Sequence, residues 1–153
     1  MTENPPKVTD QVTYQCPVCG QALHGEPSLP RFDAPCSGCG AHIWCRRRFT
    51  QGDTVLDVLP QRTPEPHDVI QVVESLTRGG AAPCVTVNLA QLDTVDSAFV
   101  ARLVSMNKQI RSSGGRLILS GLSTVVREVF EQLRLDRAFE IEDRSDESAT
   151  RVR

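Results

Sequence analysis

Four cysteines in two closely spaced pairs form the strongest chemical motif of the sequence. Cys16 and Cys19 lie in CPVCG, and Cys36 and Cys39 lie in CSGCG after a gap of sixteen residues. Two Cys-x2-Cys pairs of this kind bring four thiolates into the tetrahedral arrangement that zinc prefers, and a glycine after each pair permits a tight turn. The spacing therefore predicts a structural Zn²⁺ site whose four ligands are Cys16, Cys19, Cys36 and Cys39. Two unrelated pairs or a redox dithiol are the alternatives.

Other thiol and imidazole side chains near these pairs are weaker ligand candidates. Cys45 lies in a segment that resembles a ribbon strand, and Cys84 lies in an apolar strand, so we expect both to be packed in strands. His24 and His42 are expected at the surface because four cysteines already complete a zinc site.

Trp44 and the three arginines that follow Cys45 allow two interpretations. An aromatic ring beside Arg46, Arg47 and Arg48 could stack on a base and bind phosphate. A basic strand edge that is exposed to solvent and discourages aggregation explains the same residues, and we favour it. A nucleic-acid adaptor acting through the ribbon stays as an alternative function.

An Asp-Ser pair joins an apolar strand to a helical segment in LDTVDSAFVARL, residues 92–103. Asp96 suits the N-cap position, where its carboxylate accepts backbone N–H groups and lies near the positive end of the helix dipole. Ser97 adds little to such a cap, but an exposed hydroxyl there could be phosphorylated, which adds negative charge beside Asp96. The joint therefore favours a regulatory site.

The residues around Ser97 do not support catalysis. After residue 52 the only histidine is His67, which precedes the first helix, and no Gly-x-Ser-x-Gly elbow is present. The glycine pairs follow helical segments, so no phosphate-binding loop is predicted. We expect a protein that is not an enzyme.

The elements that position these residues follow from the hydrophobic pattern. From about Gly52 onward, short apolar strands alternate with amphipathic helical segments, which predicts an α/β domain with a mostly parallel sheet of about four strands flanked by helices. The predicted organisation is a flexible arm (1–13), a small zinc ribbon (14–50), the α/β domain (53–145) and a polar tail (146–153). In such folds working residues lie at the carboxyl ends of strands, as Asp96 and Ser97 do.

Composition limits the classes of partner. The formal net charge is −2, which argues against a protein that mainly coats nucleic acid or an anionic membrane. The N-terminal segment has no apolar core of an export signal, and no apolar run reaches the length of a membrane span. We therefore expect a cytoplasmic protein that binds other proteins.

The α/β part also carries the motifs of a known family. A strand ends in Asn88-Leu89, and a hydrophobic residue precedes an Asp-Ser pair at a helix start, which here is Val95-Asp96-Ser97. A glycine pair, Gly114-Gly115, precedes the next strand, and a late Leu-Asp, Leu135-Asp136, is followed by Phe-x-Ile, Phe139 to Ile141. With them, residues 84–149 resemble a STAS domain of the anti-sigma factor antagonist type. Asn88 stands where that family usually has an aspartate.

The resemblance implies a phosphorylation switch. In this family the serine that matches Ser97 is phosphorylated by a partner that is both a serine kinase and an anti-sigma factor. The unphosphorylated form binds that partner and releases the sigma factor, and phosphorylation abolishes the binding. Ser97 would then be the phosphosite, and Asp96, Ser97 and Ala98 would form the partner-binding surface. A STAS scaffold that is not phosphorylated, with a ribbon that supplies the specificity, is the other alternative.

Overall fold

The computed structural model describes residues 14–23, 35–50, 53–60, 63–80 and 82–142. Within these ranges the chain forms five strands and three α-helices, which in chain order are β1 (Cys45–Thr50), β2 (Asp53–Val58), α1 (Pro66–Leu76), β3 (Cys84–Asn88), α2 (Ser97–Ser112), β4 (Arg116–Ser120), α3 (Thr124–Gln132) and β5 (Glu140–Glu142). A 3₁₀ turn, Arg78–Gly80, follows α1. The predicted arm (1–13) and tail (146–153) and His24 lie outside the described residues.

The five strands form one sheet in the order β1-β2-β3-β4-β5. The strands from β2 to β5 are parallel to their neighbours, and β1 is antiparallel to β2. This confirms the predicted α/β class with a mostly parallel sheet. The sheet has five strands where about four were predicted, and the additional strand is β1, which lies in the segment predicted as ribbon. It pairs with β2 from Cys45↔Val58 to Thr50↔Asp53.

The main hydrophobic core lies between the sheet and the helices. One face of the central strands contributes Leu56, Val85, Val87, Leu117 and Leu119 to it. The helices contribute apolar stripes: Val69, Val72, Val73 and Leu76 from α1, Phe99, Leu103, Met106 and Ile110 from α2, and Val126 and Phe130 from α3. Burying each such side chain fully stabilises the fold by about 1.5–3 kcal/mol, so these stripes fix the position of each helix.

Helix starts are defined by polar side chains at their first residues. In α3 the hydroxyl of Ser123, the N-cap, accepts a hydrogen bond from the backbone N–H of Val126 at 3.2 Å. In α1 the carboxylate of Asp68 accepts from the backbone N–H of Glu65 at 2.9 Å. Among the described residues, no helix combines the length and the hydrophobicity that a membrane span requires.

Candidate functional site

The two cysteine pairs lie in two turns with the same backbone bonding. The N–H of Gly20 donates to the carbonyl of Cys16 at 2.9 Å, and the N–H of Gly40 donates to the carbonyl of Cys36 at 2.8 Å. Gly20 and Gly40 have φ of 84° and 79°, values that favour glycine. Each turn thus directs its two thiols to one side, as the glycine after each pair predicts.

The four thiols converge on one point. The Sγ atoms of Cys16, Cys19, Cys36 and Cys39 all lie within 4.8 Å of one another. Cys16 Sγ lies 3.8 Å from Cys39 Sγ, and Cys19 Sγ lies 3.7 Å from Cys36 Sγ. A tetrahedral ion with metal–sulfur bonds of about 2.3 Å requires sulfur atoms about 3.8 Å apart, so the cluster fits such an ion.

The polypeptide around the cluster favours thiolate at some positions and thiol at others. Burial acts to raise the pKa of Cys36, but the N–H groups of Cys39 and Gly38 outweigh it and lower that pKa to about 7. Burial raises the pKa of Cys16 to about 12. Because a metal ion binds the thiolate form, the raised pKa of Cys16 makes metal binding dependent on pH.

Among the described residues, Cys45, Cys84 and His42 do not belong to the cluster. Cys45 is fully buried at the start of β1, and Cys84 is half-buried at the start of β3, as their strand patterns predict. His42 Nδ1 lies 3.2 Å from the carboxylate of Asp68 on α1, so this half-buried histidine connects the second cysteine turn to the first helix.

The structure engages Trp44 and its neighbouring arginines within the protein. Trp44 is 2% exposed, so its ring is closed to stacking on a base. Arg46 lies over the ring of Tyr14 at 4.0 Å, Arg47 donates to the side chain of Gln15, and Arg48 pairs with Asp57. Trp44 therefore cannot provide the base-stacking ring that the nucleic-acid interpretation of this segment requires.

The Asp-Ser joint lies at the first residues of α2, as the sequence predicts. Asp96 is the N-cap, and its Oδ1 accepts the backbone N–H of Phe99 at 2.8 Å. Ser97 is the first residue of the helix, and the structure shows no hydrogen bond from its hydroxyl to any described residue. Asp96, Ser97 and Ala98 are all exposed, whereas Phe99 is buried. These three consecutive side chains are therefore exposed together, and Phe99, which follows them, packs in the core.

The proline-rich segment after β2 supports the start of α2. The hydroxyl of Thr63 donates to the carboxylate of Asp96 at 3.3 Å, and Nε of Arg102 donates to the carbonyl of Pro64 at 2.9 Å. These contacts join the segment to the first two turns of the helix, so the surface around Ser97 is set by two parts of the chain.

A buried polar network that the sequence analysis missed lies at the end of β3. The carboxylate of Asp57, 4% exposed, accepts from Arg48 Nε at 2.5 Å and from the amide of Asn88 at 2.7 Å. The amide oxygen of Asn88 accepts the N–H of Ala90 at 3.0 Å. An aspartate at position 88 would set a second carboxylate against Asp57, so asparagine, whose amide donates to Asp57, suits this position. The only sequence signal was a charged residue within the apolar strand β2.

Comparison with known proteins agrees with this fold. Residues 63–142, just over half of the chain, match the family model described as "Mlab, STAS domain". No curated protein matches the sequence.

Solved structures with the same fold include proteins from Thermotoga maritima and Planctomyces limnophilus. The crystal structure of TM1081, a proposed anti-sigma factor antagonist from Thermotoga maritima, is 24% identical, with a TM-score of 0.50 over 64% of this chain and 86% of that one. The NMR structure of TM1081 is 21% identical, with a TM-score of 0.55 over 68% of this chain and 84% of that one. A STAS domain protein from Planctomyces limnophilus, described as an anti-sigma factor antagonist, is 23% identical, with a TM-score of 0.51 over 63% of this chain and 87% of that one. These similarities show the fold of the α/β part.

Proposed function

The chain belongs to the STAS domain family, and on this premise we propose that it is an anti-sigma factor antagonist whose binding is switched by phosphorylation of Ser97. Its partner is an anti-sigma factor that is also a serine kinase, and both act in the cytoplasm. The observation that supports the proposal most is the exposure of Asp96, Ser97 and Ala98 side by side at the start of α2.

Phosphorylation of Ser97 can alter this surface without unfolding the domain. The hydroxyl makes no hydrogen bond to the described part of the chain, so its modification breaks no contact there. A phosphate adds about −1.5 to −2 charges, and the first turn of a helix tolerates them because the helix dipole is positive there.

The phosphate is expected to act on the affinity of the partner for this surface. An interface that fits a neutral hydroxyl next to the carboxylate of Asp96 gains bulk and like charge when Ser97 is phosphorylated. Like charges placed together across an interface suppress binding, so the modified form releases the partner.

We also propose that the four-cysteine cluster holds a structural Zn²⁺ ion through Cys16, Cys19, Cys36 and Cys39. The second core cluster, which surrounds these cysteines, contains only four buried residues among those described, Cys16, Cys36, Ile43 and Leu59. So small a core needs a cross-link, and a bound ion with four thiolate ligands supplies one. All four positions are taken by protein ligands, which leaves no open position for catalysis.

The test of the switch begins with the partner. The tagged chain is used to isolate a bound serine kinase, which is then mixed with the purified chain and ATP. Intact mass spectrometry should show one phosphate on the wild type and none on Ser97→Ala.

Ser112→Ala is the matched control, because Ser112 is also exposed and lies at the other end of α2. It should be phosphorylated as the wild type is. A phosphate that persists in Ser97→Ala would exclude this phosphosite. A bound partner that leaves no phosphate on the wild type would identify the chain as an unphosphorylated STAS scaffold.

A further inference from the structure

The two cysteine turns are attached to the α/β domain at several points. The backbones of Gln15 and Arg47 exchange two hydrogen bonds of 2.8 Å, which attach the start of the first cysteine turn to β1. Val18, between the first two cysteines, packs against both the small core around the cysteines and the main core. His42 Nδ1 lies 3.2 Å from the carboxylate of Asp68, which attaches the second cysteine turn to α1. The described cysteine turns are therefore packed on the α/β domain.

The segment that follows β2 connects the cysteine core to the start of α2. Leu59 is 2% exposed and belongs to the small core that contains two of the cysteines. Further along, the carbonyl of Pro64 accepts a hydrogen bond of 2.9 Å from Nε of Arg102 on α2. The hydroxyl of Thr63 donates to the carboxylate of Asp96 at 3.3 Å. The same short segment thus contacts the cysteine core at one end and the first turns of α2 at the other.

The order of the cysteine core depends on its metal. Among the described residues this core contains only four buried side chains, too few to hold the two cysteine turns in place without a cross-link. A bound ion supplies that cross-link, and in small metal sites the binding of the ion and the folding of the site are one process. Loss of the ion would therefore release the cysteine turns and, with them, the packing around Leu59.

We propose that metal binding at the four-cysteine cluster controls the affinity of the partner-binding surface, Asp96 to Ala98, for the protein partner. The loaded cluster holds Leu59 and, through the segment after it, keeps the first turns of α2 in the arrangement that the partner binds. Without metal the α/β fold persists, but the contacts of this segment with α2 open more often. This inference rests on the proposed function and adds metal supply as a second input beside the phosphate on Ser97.

The coupling is reciprocal. If the metal strengthens the binding of the partner by some factor, the partner must strengthen the binding of the metal by the same factor. We expect a factor of about ten, towards the lower end of allosteric couplings, because the contacts between the segment and α2 are few.

Hydrogen exchange followed by mass spectrometry tests the coupling without the partner. The full chain is compared before and after EDTA removes its metal. Amides of residues 92–103 should exchange about fivefold faster in the metal-free chain, whereas amides of residues 116–120 in β4 should not change. Equal exchange of residues 92–103 in the two forms would overturn the proposal. Faster exchange by the same factor in β4 would show a general loss of stability and overturn it as well.

A variant that keeps the metal isolates the connecting segment. Arg102→Ala removes the hydrogen bond to Pro64 and should speed the exchange of residues 92–103 while zinc is bound. Arg111→Ala is the matched control, because Arg111 is an exposed basic residue in the last turn of the same helix, and it should exchange as the wild type does. Equal exchange in the two loaded variants would contradict a connection through this segment.

Calorimetry with the isolated serine kinase separates this inference from the proposed function. The loaded chain should bind about tenfold more tightly than the metal-free chain, and Cys19→Ser should bind as weakly as the metal-free chain does. Cys84→Ser, which changes a cysteine outside the cluster, should bind as the wild type does. Equal affinity of the loaded and metal-free chains would overturn the inference and leave the phosphorylation switch intact. A tenfold difference that persists when phosphate on Ser97 has no effect would support the inference and contradict the switch.

Discussion

The backbone N–H of Phe99 donates a hydrogen bond of 2.8 Å to Oδ1 of Asp96. This bond sets the first residue of α2, so that Ser97 is exposed while Phe99 is buried in the core. The cap, the exposed serine and the packed anchor are therefore one local arrangement that the order Asp-Ser-Ala-Phe produces.

Removing this cap should destabilise the domain. Asp96→Ala loses the acceptor for the Phe99 N–H, and we expect the free energy of unfolding to fall by about 1 kcal/mol. Asp96→Asn keeps a capping oxygen and should lose much less than that. Urea denaturation monitored by circular dichroism measures both. Equal losses for the two variants would show that the charge of Asp96, and not its hydrogen bond, stabilises the helix.

The buried network at Asp57 predicts a penalty for restoring the residue usual in the family. Asn88→Asp replaces the amide that donates to Asp57 with a second carboxylate, and we expect it to lower the free energy of unfolding at pH 7 by about 1–3 kcal/mol. Asn88→Ser, which introduces no charge, is the control and should cost less.

The penalty should also depend on pH with a definite sign. The carboxylate of Asp57 raises the pKa of the carboxyl introduced at position 88 in the folded state above its value in the unfolded chain. The destabilisation is then present above the folded pKa and decreases as the pH falls through it, because protonation removes the repulsion. Unfolding curves of wild type and variant between about pH 7 and 4 measure this difference. A penalty that stays constant over that range would contradict the repulsion between the two carboxylates.

Features that depend on local spacing could be predicted from the sequence, and features that depend on distant partners could not. The helix that starts at Ser97 follows from its own apolar stripe and its own cap. The two cysteine turns follow from the residue types within five positions. The burial of Trp44 depends on core residues far along the chain. The pairing of β1 with the adjacent strand β2 was not predicted because the basic composition of β1 indicated an exposed edge. Arg48 of β1 instead forms an ion pair with Asp57 of β2, and the residue pattern within either strand does not predict this contact.

The cysteine cluster predicts one metal ion per chain. Elemental analysis should find about one zinc in the purified protein, since four thiolates complete its coordination. Cys19→Ser removes an exposed ligand with little change in packing and should lose zinc to a chelator that leaves the wild type loaded. Cys84→Ser, which changes a cysteine outside the cluster, should keep the zinc. A folded protein without metal, or equal retention in both variants, would contradict the structural role.

Acid should release the same ion. Because protons compete with zinc for the thiolates, affinity falls as the pH decreases, and the high pKa of Cys16 means that its thiolate takes up a proton readily. Titration with a colorimetric zinc chelator at about pH 8, 7 and 6 should show faster and more complete release at each lower pH. Release that does not change with pH would indicate that thiolates do not hold the ion.

The central claim is that phosphate on Ser97 abolishes partner binding, and isothermal titration calorimetry with the isolated partner tests it most directly. The unphosphorylated chain should bind with measurable heat, and the chain phosphorylated at Ser97 should bind at least about a hundredfold more weakly, a loss of about 2.7 kcal/mol. The two forms should unfold at the same temperature within a degree or two, since the phosphate lies on the surface. Equal affinity of the two forms for the partner would contradict the account.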